Sequence, residues 1–334
     1  MTHEAILVRG EDDLHDLLAE ELGAVFSRSD SVAVKLHMGE PGNTTHIEPR
    51  LAARIVDVLA RIGCAPFLFD TPVVYASPRG SEAGYRESAH RNGFSQGSIG
   101  APVVISDRSV QAAGRYMTYG VASAPLEADG VLLLSHFKGH ICTGIGASLK
   151  NAGMGCVSKA TKGAIHDGGE PVYQGGCTEC GLCAENCPTG NVRLDGGRPF
   201  FDATWCPGCS NCVLSCPEGC IAPRTAVFDT LLAEAAVSAC RGFGKTYSVN
   251  VMKKMTRLCD CVADAGPLVA GDVGYVCGRG MTAVDAAALE ILTRETGAPD
   301  LFQQHNRKSS WLHVREAARM DGTRLPVSIR EVRR

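Results

Sequence analysis

The chain has 334 residues, 45% of them hydrophobic and 21% charged, with a formal net charge of -3. That balance belongs to a globular protein able to fill one or two cores, and the lack of a basic excess argues against nucleic acid as a partner. No run of about eighteen apolar residues exists to span a membrane. The opening stretch MTHEAILVRGEDDL does not follow the basic-then-apolar order of an export signal. Sixteen cysteines imply a reducing compartment, so a cytoplasmic location is expected.

Ala5 to Val8 reads as a short strand, and Asp12 to Phe26 as a helix with Leu14, Leu17, Leu18 and Leu22 at helical spacing. A second strand is expected from Ser31 to Gly39. Pro49 to Ile62 is an amphipathic helix, with Leu51, Ile55, Val58, Leu59 and Ile62 on one stripe and Gly63 as its stop. PFLFD follows as a strand, Glu82 to Arg91 as a helix and APVVISD as another strand. VLLLSHFKG, from Val131 to Gly139, is the most apolar strand and the expected centre of the sheet. After residue 223 the rhythm resumes: a helix from Thr225 to Cys240, strands KTYSVNVMKKM and Val273 to Cys277, and a helix from Met281 to Thr293. A last helix runs from about Ser310 to Met320, and an edge strand from Leu325 to Ile329. The fold class is therefore α/β, a mostly parallel sheet with helices on both faces. Residues 1–165 and 224–334 form one domain, interrupted by an inserted α+β domain at 170–223.

The insert carries the most specific pattern. CTECGLCAENCPTG and CPGCSNCVLSCPEG each read C-x2-C-x2-C-x3-C-P, which resembles a bacterial ferredoxin with two [4Fe-4S] clusters. Three thiolates on a tight turn wrap one cubane, and the fourth, leaving on extended chain, reaches the other. Cys177, Cys180, Cys183 and Cys216 would hold one cluster, and Cys206, Cys209, Cys212 and Cys187 its partner. Two structural zinc sites are the weaker alternative, since they favour C-x2-C pairs across a longer loop. A disulfide framework belongs to small secreted chains.

A second concentration of chemistry lies between Val131 and His166, where there is no Asp or Glu but Lys138, Lys150, Lys159 and Lys162 stand with His136, His140 and His166. The window is glycine-rich and follows the most apolar strand, where ligands of open α/β sheets bind. It would attract an anion, although a merely solvated, flexible loop would look the same. Lys35 and His37 end an earlier strand and could face the same crevice. Cys259-Asp260-Cys261 places two thiols on one side of an extended segment. They could clamp a soft metal or a third cluster edge, with Cys156 the first further ligand and Cys142 the second, or act as redox thiols, or simply pack.

SVAVKLHMGE, VLLLSHFKGHICTGIGASLKNAGMGC, TKGAIH, and CDC followed by AGPLVAGDVGYVCGRGMTAVDAAALEI together resemble the DUF362 family, in the version with an internal two-cluster ferredoxin module. The resemblance implies an iron–sulfur redox protein without assigning a reaction. The leading expectation is an electron-transfer component passing single electrons to a partner or to an anionic small molecule in the α/β crevice. Lys138, Lys150 and Lys162 would anchor the anion, His140 or His166 would move the proton, and a flavin is left open. The acidic insert suggests a redox partner with a basic surface. A metal- or cluster-handling assembly protein using Cys259 and Cys261, and a scaffold with structural clusters, are the alternatives.

Overall fold

The computed structural model describes residues 4–332. Eight strands form one sheet in the order Ser328–Val332, Glu4–Val8, Gly274–Gly278, Lys245–Met252, Gly130–His136, Ser31–Lys35, Ala65–Asp70, Val103–Ile105. The last five of these are mutually parallel, and so are the two at the opposite edge. Gly274–Gly278 runs antiparallel to both its neighbours. Four two-stranded antiparallel sheets lie outside this one. The result is a mixed α/β fold with a large central sheet and smaller flanking ones.

Burial follows the period of two that a strand imposes. Every position of Gly130–His136 is buried, with Val131 and Leu133 in one core and Leu132 and Leu134 in the other. A strand covered on both faces needs such a continuous apolar run. The Pro49–Ile62 helix opens with proline at its first turn and closes at Gly63, whose φ of 97° is a left-handed cap. Met281–Thr296 is buried along most of its length, as a helix sandwiched under a sheet must be.

The edge strand expected at Leu325–Ile329 lies at Ser328–Val332, the strand expected to reach Gly39 ends at Lys35, and two departures shape the crevice. The 131–139 strand leaves the sheet at His136, and Lys138–His140 folds back on Gly144–Gly146 as a hairpin. Gly139 permits this, because a Cβ there would stand 1.9 Å from the Arg257 carbonyl oxygen. The segment expected to be a glycine-rich loop instead contains helices Ser148–Gly155 and Lys159–Gly168. Its glycines allow close packing rather than flexibility: a Cβ on Gly153 would meet the Leu232 carbonyl oxygen at 2.6 Å, and one on Gly155 the Lys35 side chain at 2.1 Å. Among the described residues no helix is long and apolar enough to cross a membrane.

Candidate functional site

The carboxyl ends of three parallel strands deliver Lys35, Asp70 and His136 to one crevice of about 200 Å³, the location expected for a ligand site in such a sheet. The hairpin adds Lys138 and His140, the 148–155 helix adds Lys150 and Asn151, and the 159–168 helix adds Lys162 and His166. Cys259 and Cys261 reach it from the connection after Lys245–Met252, and Cys142 lines it as well.

Most of the buried charge is paired. Lys35 Nζ lies 3.1 Å from Asp70 Oδ1 and donates to Asn151 Oδ1 at 2.7 Å. Asp260, fully buried between the two thiol-bearing residues, contacts Lys138 Nζ at 3.2 Å and His136 Nδ1 at 2.9 Å. The other ring nitrogen of His136 is 2.9 Å from the Lys253 carbonyl oxygen, so both nitrogens face acceptors. Lys150 Nζ approaches Cys259 Sγ at 3.7 Å. Among the described residues Lys162 Nζ donates only to the carbonyls of Thr71 and Pro72, at 3.1 and 2.6 Å.

His140, Cys259 and Cys261 bring their ligand atoms within 4.8 Å of one another. A hydrogen bond from Cys261 pulls the Cys259 thiol well below its ordinary range; burial opposes this, and the Lys150 and Lys138 ammonium groups reinforce it. Cys261, as the donor, is held well above that range. Burial, helped by Lys150, drives His140 well below its usual value and keeps it neutral. Its Nδ1 is tied to the hairpin, 3.1 Å from Thr143 Oγ1 and 3.2 Å from the Cys142 nitrogen, which leaves Nε2 for a ligand. Two cysteine sulfurs and a neutral imidazole are a donor set that a soft or borderline metal takes, and nearby partners that orient the imidazole are typical of such sites. The third member is His140 rather than Cys156 or Cys142. Cys156 lies buried behind the crevice wall, where burial pushes its thiol up to about 12.

Several residues had no signal in the sequence. Arg79 is fully buried, donates to Glu40, to His37 Nε2 at 2.7 Å and to the Tyr75 hydroxyl, and thereby fixes the crevice wall that carries His37 and Tyr75. Only the fold brings these four together. Asp260 was legible as the middle of Cys-Asp-Cys, but the segment expected to be extended is a turn, in which the Val262 N–H donates to the Cys259 carbonyl at 3.2 Å, and that turn aims Asp260 at His136 and Lys138.

The eight cysteines of the insert require a correction. Cys177, Cys180, Cys183 and Cys216 surround one small hollow, and Cys187, Cys206, Cys209 and Cys212 another. Among the described residues the single group of three or more potential ligands whose donor atoms lie within 4.8 Å of one another is His140, Cys259 and Cys261. Cys216 Sγ instead meets Cys220 Sγ at 3.3 Å. One partly buried triad is not the ligand set of two four-iron clusters. The two [4Fe-4S] clusters, the ferredoxin-type insert, and the reading as an iron–sulfur electron-transfer protein are therefore withdrawn. Nothing in the crevice lining calls for the flavin left open beside them.

A family model described as "Domain of unknown function (DUF362)" matches residues 32–290. The chain belongs to this family. The DUF362 match spans Lys35, the hairpin, both crevice helices and the thiol pair. An "Iron-sulfur protein" of Rhodospirillum rubrum is 29% identical over 131 residues, 39% of this chain and 63% of that protein's length. A "Ferredoxin-like protein in vnf region" of Azotobacter chroococcum mcd 1 is 42% identical over 53 residues, 14% of this chain and 82% of that protein. Among solved structures, a Thermotoga maritima protein aligns at TM-score 0.42 and 10% identity, over 72% of this chain and 50% of that one. The lactate racemase apoprotein of Thermoanaerobacterium thermosaccharolyticum aligns at TM-score 0.34 and 10% identity, over 74% and 50%. Neither structural likeness is close enough to carry an argument about this DUF362 chain.

Proposed function

We propose that this DUF362 protein handles a soft or borderline metal ion, held in the crevice by His140, Cys259 and Cys261. The convergence of these three donors on one buried point carries the reading. Burial keeps His140 neutral, and the hydrogen bond from Cys261 lowers the Cys259 thiol, so both shifts run in the direction that favours metal ligation. Three protein donors leave a fourth position open on a tetrahedral ion. Lys138 and Lys150 favour filling it with a small anion, a carboxylate or phosphate. His166, whose Nδ1 is 2.7 Å from the Pro207 carbonyl oxygen, keeps its other nitrogen for proton transfer to such a ligand.

The same reading takes residues 170–223 as a thiol-rich domain inserted between 1–165 and 224–334, its ends joined where Pro171–Tyr173 pairs with Ile221–Pro223. Its two quartets of cysteines offer further soft donors to a metal in transit. None of the sixteen cysteines is paired in a disulfide, which suits a cytoplasmic setting.

Metal analysis of the anaerobically purified protein, beside a Cys259→Ser, Cys261→Ser double variant, is the test. Loss of about one equivalent of zinc, copper, nickel or iron in the variant supports the site. Equal metal content in both proteins refutes it.

A further inference from the structure

Lys162, expected from the sequence as an anion anchor, is held by backbone carbonyls instead and takes no part in the metal triad. It is 6% exposed, stands on the 159–168 helix and lines the crevice. Its two hydrogen bonds go to backbone carbonyls of the turn after Ala65–Asp70, and among the described residues no carboxylate pairs with it. A neutral amine has two N–H bonds and one lone pair, whereas an ammonium has three N–H bonds and no lone pair. Two carbonyl acceptors therefore match a neutral amine, with its lone pair left over on the crevice side. An ammonium here would bury a third N–H without an acceptor, at the cost such a group carries.

The surroundings agree. Burial lowers Lys162 to about 7 from 10.5; Asp70 opposes the change, Lys35 and Arg79 add to it, and Asp107 opposes it. Of the two carboxylates that act on it, Asp70 is already engaged by Lys35 at 3.1 Å and by the Tyr85 hydroxyl at 2.5 Å, and Asp107 accepts from the Lys159 backbone N–H at 2.6 Å. At pH 7 about half of Lys162 would be free amine, against roughly one part in 3,000 for a lysine at 10.5.

We infer that Lys162 is a nucleophilic amine that forms an imine with a small carbonyl compound bearing an anionic group, such as a 2-oxo acid. The nitrogen lone pair attacks the carbonyl carbon and the C–N bond forms. The two amine hydrogens then leave with the carbonyl oxygen as water, which gives the C=N bond without any oxidant or reductant. The carbonyl class follows from what a free amine attacks, and the anionic group from Lys138 and Lys150 in the same crevice. The inference does not rest on the metal reading: the Cys259→Ser, Cys261→Ser variant retains Lys162 and its carbonyl partners.

The test is borohydride trapping at pH 7 with glyoxylate as the probe, followed by peptide mapping of the wild-type protein. Formaldehyde is the second, smaller probe. Lys162 is expected to carry the adduct in excess of exposed Lys254 by at least about tenfold, a margin well inside the difference in free amine. Lys162→Met should abolish the adduct at that position, and the wild-type map stands whether or not that variant folds. Adduct spread over exposed lysines, with Lys162 at or below their level for both probes, would overturn the inference and leave the metal reading untouched.

Discussion

Replacing Asp260 with Asn tests whether the crevice is held together by charge. Asp260 is fully buried and faces Lys138 Nζ at 3.2 Å and His136 Nδ1 at 2.9 Å. At an effective dielectric near 20, the Lys138 contact at 3.2 Å corresponds to about 5 kcal/mol of attraction. Desolvation of both ions offsets much of this in the native protein, but removing one partner leaves the other's desolvation uncompensated. Asp260→Asn keeps the shape and deletes the charge. Lys138 then stays buried without a counter-ion, and His136 Nδ1 faces a neutral amide in place of a carboxylate. The expected loss is about 3–5 kcal/mol in urea unfolding, with an unchanged slope. Because Asp260 also sets the chain between Cys259 and Cys261, metal uptake should fall with stability. A loss below about 1 kcal/mol, the range of exposed pairs, would refute the reasoning and show that water reaches Lys138.

Three further outcomes are expected. Lys308 is buried against Asp229 at 2.5 Å; Lys308→Met should cost about 3–5 kcal/mol, and adding Asp229→Leu should recover most of it, as thermal unfolding would report. Lys150→Met should weaken phosphate or carboxylate binding, measured by calorimetry, by roughly 1–3 kcal/mol while the fold is retained. Burial pushes Asp285 up to about 6, although Asn250 and the Ser148 and Leu149 N–H groups donate to it. An acid raised in the folded state is better protonated there than in the unfolded chain. Its contribution is therefore fully present below about pH 4 and lost as pH rises towards 6, so urea titrations between pH 4 and 6 should show that decline on top of the other carboxylates.

Local pattern settled much of this chain. The apolar run from Val131, the stripe of Pro49 to Ile62 and its Gly63 stop, and the helix from Met281 each record burial that the residue itself must satisfy, so they were legible without a fold. The lysines and histidines of 131–166 and the Cys-Asp-Cys pair could be picked out for the same reason: their chemistry is intrinsic to the residue type. Convergence is not. Cys259 and Cys261 lie more than a hundred residues from His140, and the sequence favoured Cys156, which the 148–155 helix turns into the core. The regular spacing of the eight cysteines also encouraged a two-cluster reading, because spacing along a chain records which thiols are near in sequence and says nothing of how closely their sulfurs converge. The role of the glycines was likewise decided by packing, since Gly139, Gly153 and Gly155 look like loop residues until Arg257, Leu232 and Lys35 press against them. Arg79, Glu40, His37 and Tyr75 meet only because parallel strands end at one level of the sheet, and there the tertiary structure alone determines which charges share a wall.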